Sequence, residues 1–301
     1  MINKILFYIL RKILSIFQYL YLLFYALPKL YFHNLICFPF SISRGYCSYL
    51  LGAKNYFIKL GISSKSTIRK EYKIFSKLRD EYFALKDILP NYIFIKYFFI
   101  SALRSEFLNK VSSAESLAFA IKVQKKFNSI KFSDRILHLN DCPEIINGIS
   151  QFDSHFGVKT SNKLKKIAIN FLSSGKYHVG LIHGDFHSRN IMIDNSGLVK
   201  IVDLDCFRFK SIREFDALCF ALEDEWSANK NLWHYTLIDC LRGKDEKIND
   251  LLKSFDIKWC NNLGIVFFLD RIGRDLVNYK FTYSKPVLKR FILAIEKIIS
   301  V

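Results

Sequence analysis

The stretch "LIHGDFHSRNIMID", residues 181–194, constrains the fold most. It sets a His, an Asp, a second His and an Asn between two runs of large apolar residues. Apolar runs of this length read as buried strands. A carboxylate between buried strands is costly unless paired or put to use. A second apolar run, "LVKIVDLDCF", follows a "DNSG" turn and carries Asp203, thirteen residues after Asn190. Strand, loop and strand can therefore bring Asp185, Asn190 and Asp203 to one end of a hairpin. Two carboxylates and an amide oxygen suit Mg2+, which takes hard oxygen ligands together with substrate phosphates. A carboxylate left free of metal could accept a hydroxyl proton.

The patterns around this stretch divide the chain. Residues 35–60 alternate apolar, aromatic and β-branched runs with the breaks "SRG" and "GAKN", the mark of short strands and a hairpin. Residues 63–80 read as a helix with a Ser or Thr N-cap and an apolar stripe of Ile68, Phe75 and Leu78. Glu71 lies on that same stripe, so an inward-facing acid requires a partner. "YIFIKYFFI", 92–100, is a strand or pair of strands. From about 105 the periodicity becomes helical ("AESLAFAIKVQKKF", "SNKLKKIAINFLSS"). Apart from the two β segments above, it stays helical to the C-terminus. The expected organisation is α+β: an apolar helix over 1–34, a small β-rich lobe over 35–104 and a larger helical lobe over 105–301. No internal repeat or low-complexity linker interrupts it.

The N-terminal segment is apolar, with sparse basic residues. On helical geometry Lys4, Arg11, Ser15 and Gln18 share a narrow strip, and Ile, Leu, Phe and Tyr fill most of the rest. Only 16 residues separate Lys12 from Lys29, short of the roughly 20 needed to cross a bilayer. No small-residue cleavage site follows. Three readings stand: an interfacial membrane helix, a helix on the protein's own core or a partner, and a short spanning anchor.

With 301 residues the chain can bury a substantial core, and 51% hydrophobic against 24% charged residues excludes a disordered chain. A net charge of +18 favours anionic partners, such as phosphates, nucleic acid or an acidic membrane leaflet, or else is simply a lysine-rich solvated surface. No motif points to nucleic acid, since zinc-type Cys spacings and a basic heptad region are both missing. Seven Cys, an odd number without a CxxC, indicate reduced thiols in a cytosolic setting.

"HGDFHSRN" with "IVDLD" resembles the aminoglycoside phosphotransferase and choline kinase group, which shares the protein-kinase-like two-lobed fold. The five-residue Asp-to-Asn spacing also matches the protein-kinase catalytic loop. The resemblance implies that Asp185 is the catalytic base, that Asn190 and Asp203 hold Mg2+, and that ATP or GTP is the phosphoryl donor. His183 would brace the loop. His187 matches the group's second His, with no role argued for it. Lys59, in "YFIKLG", resembles the phosphate-pairing lysine, and Glu71 the acid that pairs with it, which would explain the inward-facing acid. "SRGYCSYLL", with Gly45 at its turn, resembles a nucleotide-covering loop without the full G-x-G-x-x-G. Asp216, in "REFDAL", resembles the Asp that opens a helix of the large lobe and hydrogen-bonds the catalytic loop. Asp205 stands where protein kinases have Gly, and no A-P-E follows Asp203; both favour the small-molecule branch. The activity so implied is transfer of a γ-phosphoryl group to a hydroxyl of a small molecule, sugar or lipid-linked glycan. The site would be the cytoplasm or the inner face of the cytoplasmic membrane. The rivals are a catalytically silent nucleotide-binding scaffold and a protein kinase. "EDEW", 223–226, reads as a solvated helix face ahead of the lining of an acceptor groove, and Arg208 and Lys210 as lone basic residues that meet an anionic substrate or nothing.

Overall fold

In a computed structural model, the structure describes residues 41–44, 49–53, 56–61, 67–97, 100–132, 136–229, 232–244, 247–279 and 281–299. The apolar segment 1–34 and the Gly45 turn lie outside the described residues. Elements are numbered in chain order within them. The protein is α+β and comprises two compact units: residues 1–109 with 192–205, and residues 110–191 with 206–301.

The first unit holds an antiparallel five-stranded sheet of order β1-β2-β3-β5-β4. Its strands are β1 (Ser41–Arg44), β2 (Tyr49–Ala53), β3 (Tyr56–Gly61), β4 (Ile93–Tyr97) and β5 (Ile100–Glu106). The stretch read as one or two strands is thus a pair, β4 with β5. The central strand β3 pairs on both sides, with Lys59 opposite Leu50 on β2 and Leu103 on β5. Strand alternation puts Ile58 and Leu60, both fully buried, on one face and Lys59 on the other. Helix α1 (Ile68–Glu81) buries Ile68, Glu71, Ile74, Phe75 and Leu78, a stripe at helical spacing. Thr67 precedes it without making a side-chain cap.

Residues 192–205 also belong to this unit. Asp194 closes the predicted "DNSG" turn. Its Oδ1 accepts from the Ser196 amide (2.9 Å), the Ser196 hydroxyl (2.6 Å) and the Leu198 amide (2.9 Å). Strands β8 (Ile191–Ile193) and β9 (Val199–Ile201) flank it, and the two-residue β6 (Asn109–Lys110) completes a sheet of order β6-β8-β9. Lys200 is buried, and its ammonium donates to the Asp87 (3.0 Å) and Leu89 (3.2 Å) carbonyls.

The second unit is mainly helical: α2 (Ser113–Ser129), α3 (Pro143–Phe156), α4 (Val158–Ser173), α5 (Glu214–Asn229), α6 (Trp233–Leu241), α7 (Lys247–Ser254), α8 (Asn261–Tyr279) and α9 (Lys285–Ile299). Strands β7 (Val179–Ile182) and β10 (Arg208–Ile212) form an antiparallel pair within it. At its centre α8 crosses α3 with the backbones touching. A Cβ at Gly148 would collide with the Leu269 carbonyl, and one at Gly273 with the Glu144 carbonyl. Phe268 of α8 stacks on Phe291 of α9, ring centroids 3.9 Å apart, and Phe152 of α3 completes the cluster.

Candidate active site

The first unit carries an ammonium held between acids. Lys59 Nζ lies 2.7 Å from Glu71 Oε2 and 2.5 Å from Asp203 Oδ1. Strand β3 supplies the lysine, the inward stripe of α1 the glutamate, and the turn after β9 the aspartate. Burial alone would lower the Lys59 pKa, but Glu71, Asp203 and Asp205 outweigh it and hold the ammonium above its ordinary value. Glu71 is completely buried. Burial pushes its carboxyl up, against the pull of Lys59. Its other oxygen accepts from the Tyr92 hydroxyl (3.2 Å) and the Leu204 amide (3.3 Å). Asp203 sits in the left-handed region at φ 64°, sparsely populated for a residue with a Cβ. Such backbone strain concentrates at functional positions. Its side chain is 43% exposed, which leaves one carboxylate oxygen free to reach a ligand.

The second unit carries Asp185, in the loop after β7. Gly184, at φ 80°, makes that loop possible, since a Cβ there would collide with the Cys206 carbonyl. Asp216, in the first turn of α5, accepts from the His183 amide (2.7 Å) and the Gly184 amide (2.9 Å). Burial pushes its carboxyl up to about 6, against the pull of His183 and those amides. His183 is fully buried, its ring 6.0 Å from that of Phe186.

Asp185 Oδ1 lies 3.2 Å from Arg274 Nη1 and 3.4 Å from Arg271 Nη2, both arginines on α8. Its Oδ2 lies 3.5 Å from His187 Nε2. Burial would raise this carboxyl's pKa, but Arg274, His187 and Arg271 outweigh it and hold the group well below the usual carboxylate range. Asp185 is therefore an anion at every physiological pH. The Asn190 amide nitrogen donates to the Asp185 carbonyl (2.9 Å) and lies 3.2 Å from His187 Nε2. With its nitrogen so committed, Asn190 keeps its amide oxygen as the atom that could act as a ligand.

The two arginines are themselves fixed. Arg271 donates to Glu223 Oε1 (2.7 Å) and Cys219 Sγ (2.7 Å), and stacks over Trp233 at 5.1 Å. Burial pushes the Cys219 thiol up to about 12, against the pull of Arg271. Glu223 Oε2 also lies 3.5 Å from Arg189. Arg274 reaches the Gly184 carbonyl, and its Nη2 lies 2.9 Å from Asp275 Oδ1.

Among the predicted site residues, Lys59, Glu71, Asp203 and Asp205 gather in the first unit. His183, Asp185, His187, Asn190 and Asp216 gather in the second. Two readings are corrected. Glu223 does not face solvent: it is buried and binds Arg271, because α8 brings a cation against that face of α5. Arg208 is not alone: it makes a two-point pair with Asp270 (2.6 and 2.8 Å) and lies 3.2 Å from Glu144. Sequence reading missed Arg271, Arg274 and Asp275. Their signal was "LDRIGRDLV", where four charged residues at helical spacing interrupt an otherwise apolar helix.

No protein-family profile matches the chain, and no curated protein sequence matches it. Solved structures do. ADP-bound aminoglycoside phosphotransferase APH(2'')-Ib is 16% identical, with a TM-score of 0.52 over 90% of this chain and 96% of that one. Choline kinase LicA from Streptococcus pneumoniae is 12% identical, with a TM-score of 0.53 over 92% and 99%. A choline/ethanolamine kinase family protein from Mesorhizobium loti is 12% identical, with a TM-score of 0.51 over 87% of each chain. At these identities the likeness is one of fold: the chain has the kinase-like fold shared by aminoglycoside phosphotransferases and choline kinases.

Proposed function

We propose that the chain is a phosphotransferase that moves the γ-phosphoryl group of ATP or GTP to a hydroxyl of a small molecule or glycan. The observation that carries the reading is the loop at Asp185: a carboxylate kept anionic by two arginines, five residues before Asn190, whose amide nitrogen is bonded to the Asp185 carbonyl. In this reading Asp185 orients the acceptor hydroxyl and takes its proton as transfer proceeds. Lys59, aligned by Glu71, meets the nucleotide phosphates. In this reading Asp203 and Asn190 would hold Mg2+, since a carboxylate and an amide oxygen are the hard donors that ion takes. The described residues contain no group of three or more His, Cys, Asp and Glu side chains suited to a metal, so phosphate oxygens and water would complete its coordination. When bound, Mg2+ neutralises charge that develops on the transferring group.

The electrostatics of the second unit support an acceptor that is neutral or acidic, such as a sugar or a lipid-linked glycan. Asp185, Glu223 and Asp275 each already hold an arginine, which leaves none of these three to bind a polycation. The apolar segment 1–34 would bring the enzyme to the inner face of the cytoplasmic membrane, where lipid-linked acceptors reside. Among the described residues no helix is long and apolar enough to cross a membrane. The test is incubation with labelled ATP and Mg2+ against fractionated lipids, glycans, amino alcohols and aminoglycosides. Label should enter a sugar-bearing fraction, and Asp185→Asn should prevent it. Nucleotide binding without transfer to any fraction would favour the silent scaffold.

A further inference from the structure

The arginine that grips Asp185 is held from behind. Arg274 presents its guanidinium as a fork, with Nη1 on Asp185 Oδ1 (3.2 Å) and Nε (3.2 Å) and Nη2 (2.9 Å) on Asp275 Oδ1. Asp275 is the next residue along α8. Neighbours on a helix point about 100° apart and do not ordinarily face each other. Something must turn the Asp275 carboxylate onto Arg274, and its second oxygen shows what: the Tyr283 hydroxyl donates to Oδ2 at 2.8 Å.

Tyr283 is fixed in turn. It lies after α8, and its amide donates to Gln151 Oε1 (3.0 Å). Gln151, on α3, donates to the Ile272 carbonyl (2.8 Å). The Phe281 amide donates to the Asp275 carbonyl (3.2 Å) and folds the segment back on the helix end. The tyrosine ring meets those of Phe281, Trp233 and His234 edge-on. Arg274, Asp275 and Tyr283 are each more than nine-tenths buried, so water does not compete for these bonds. We propose that Tyr283 and Asp275 are positioning residues for phosphoryl transfer: they lock the Arg274 fork and thereby set the orientation of the Asp185 carboxylate. The inference rests on the assignment of Asp185 made above. Tyr283 and Asp275 touch no reacting atom in this scheme, and of the reacting groups Arg274 touches only the Asp185 carboxylate. They act through Asp185 alone, so their effect should vanish once that carboxylate is gone.

The experiment uses phosphate release from MgATP with water as acceptor, so it needs no knowledge of the natural hydroxyl. The full chain is compared as parent, Tyr283→Phe, Asp185→Asn and the double variant, with Asp275→Asn and Arg274→Lys alongside. Tyr283→Phe keeps the ring and removes only the hydroxyl. It should lower kcat roughly tenfold or more, as small misplacements of reacting groups do, with KM for ATP unchanged. Asp275→Asn should do the same. Arg274→Lys should not keep the parent rate, because a flexible point-charge ammonium lacks the rigid planar fork that fixes Asp185 and Asp275 in one geometry. In the Asp185→Asn background Tyr283→Phe should change nothing further. If Tyr283→Phe lowers only the urea midpoint, or slows turnover equally in both backgrounds, the hydroxyl is structural and the proposal is wrong. Should Tyr283→Phe not fold, Asp275→Asn decides by the same comparison. Failure of the underlying reading looks different: Asp185→Asn would then turn over ATP like the parent, or the parent would not turn it over at all.

Discussion

Replacing Lys59 with Met tests the first unit's ion pair by stability alone. Methionine keeps the length and apolar stem of the lysine and removes the charge. Glu71, completely buried, then keeps only the Tyr92 hydroxyl and the Leu204 amide. Removing one partner of a buried pair costs about 3–5 kcal/mol. Lys59 retains some exposure, 18% of its side chain, so the low end, about 3 kcal/mol, is expected. The Lys59–Asp203 contact adds little to the cost, since Asp203 falls back on solvent. For a chain of this size that is a Tm decrease of roughly 5 °C. The loss should depend on pH. With Lys59 gone, burial raises the folded-state pKa of Glu71 above its unfolded value. The folded state then binds the extra proton, and stability falls as pH rises through and beyond the ordinary carboxylate range. Lys59→Met should therefore be nearer to parent stability at pH 5 than at pH 8. The double variant Lys59→Met/Glu71→Gln, which still accepts both remaining hydrogen bonds, should recover most of the loss at pH 8. Urea unfolding of all three proteins at both pH values is the assay. The account fails if Lys59→Met equals the parent at pH 8, or if the second substitution restores nothing.

Three further outcomes are expected. Asp203→Ala should remove the tightening of ATP binding by Mg2+, measured by titration calorimetry with and without the metal; an unchanged Mg2+ dependence would show that Asp203 is not a ligand. His234 is buried among Trp233, Tyr235 and Tyr283, with neither ring nitrogen hydrogen-bonded, and burial followed by the Arg290 charge lowers its pKa to about 4. The unfolded imidazole takes its proton near pH 6.5, so about 3 kcal/mol of stability should be lost as pH falls from 6.5 to 4. His234→Phe should flatten that part of the urea midpoint profile, and a profile as steep as the parent's would refute the assignment. Deletion of residues 1–30 should leave a folded, ATP-binding chain that no longer floats with anionic liposomes. Each large apolar side chain contributes roughly 1.5–3 kcal/mol on full burial, against about 1 kcal/mol per basic residue at an anionic surface. A deletion that melts far below the parent would instead place that segment on the protein's own core.

What the sequence disclosed, and what it withheld, divides by range. Glu71 announced itself locally, because an acid on an apolar stripe needs a cation, and the structure supplies Lys59 from a strand twelve residues earlier. The spacing of Asp185, Asn190 and Asp203 is equally local, fixed by a loop and a hairpin. The partners of Asp185 are not local: Arg271 and Arg274 lie 86 and 89 residues further on. Only the crossing of α8 over α3 decides which way they point. The same distance hid the environment of Glu223, whose helix shows no polar face that would separate a buried acid from an exposed one. Arg208 looked solitary for a similar reason, since Asp270 is 62 residues away.

Residues 192–205 run as one thread with the second unit's loop yet fold with the first unit. The chain therefore passes between the units three times, after Asn109, after Ile191 and after Asp205, and no single cut yields two intact pieces. A fragment beginning at Lys110 would inherit Lys200 without the Asp87 and Leu89 carbonyls that receive its ammonium. It would also carry Asp203 without Lys59. Gene fusion or truncation at the first junction would thus strand a buried cation and an unpaired carboxylate in the larger half. A split of the gene at that junction therefore parts the lysine from the aspartate it meets.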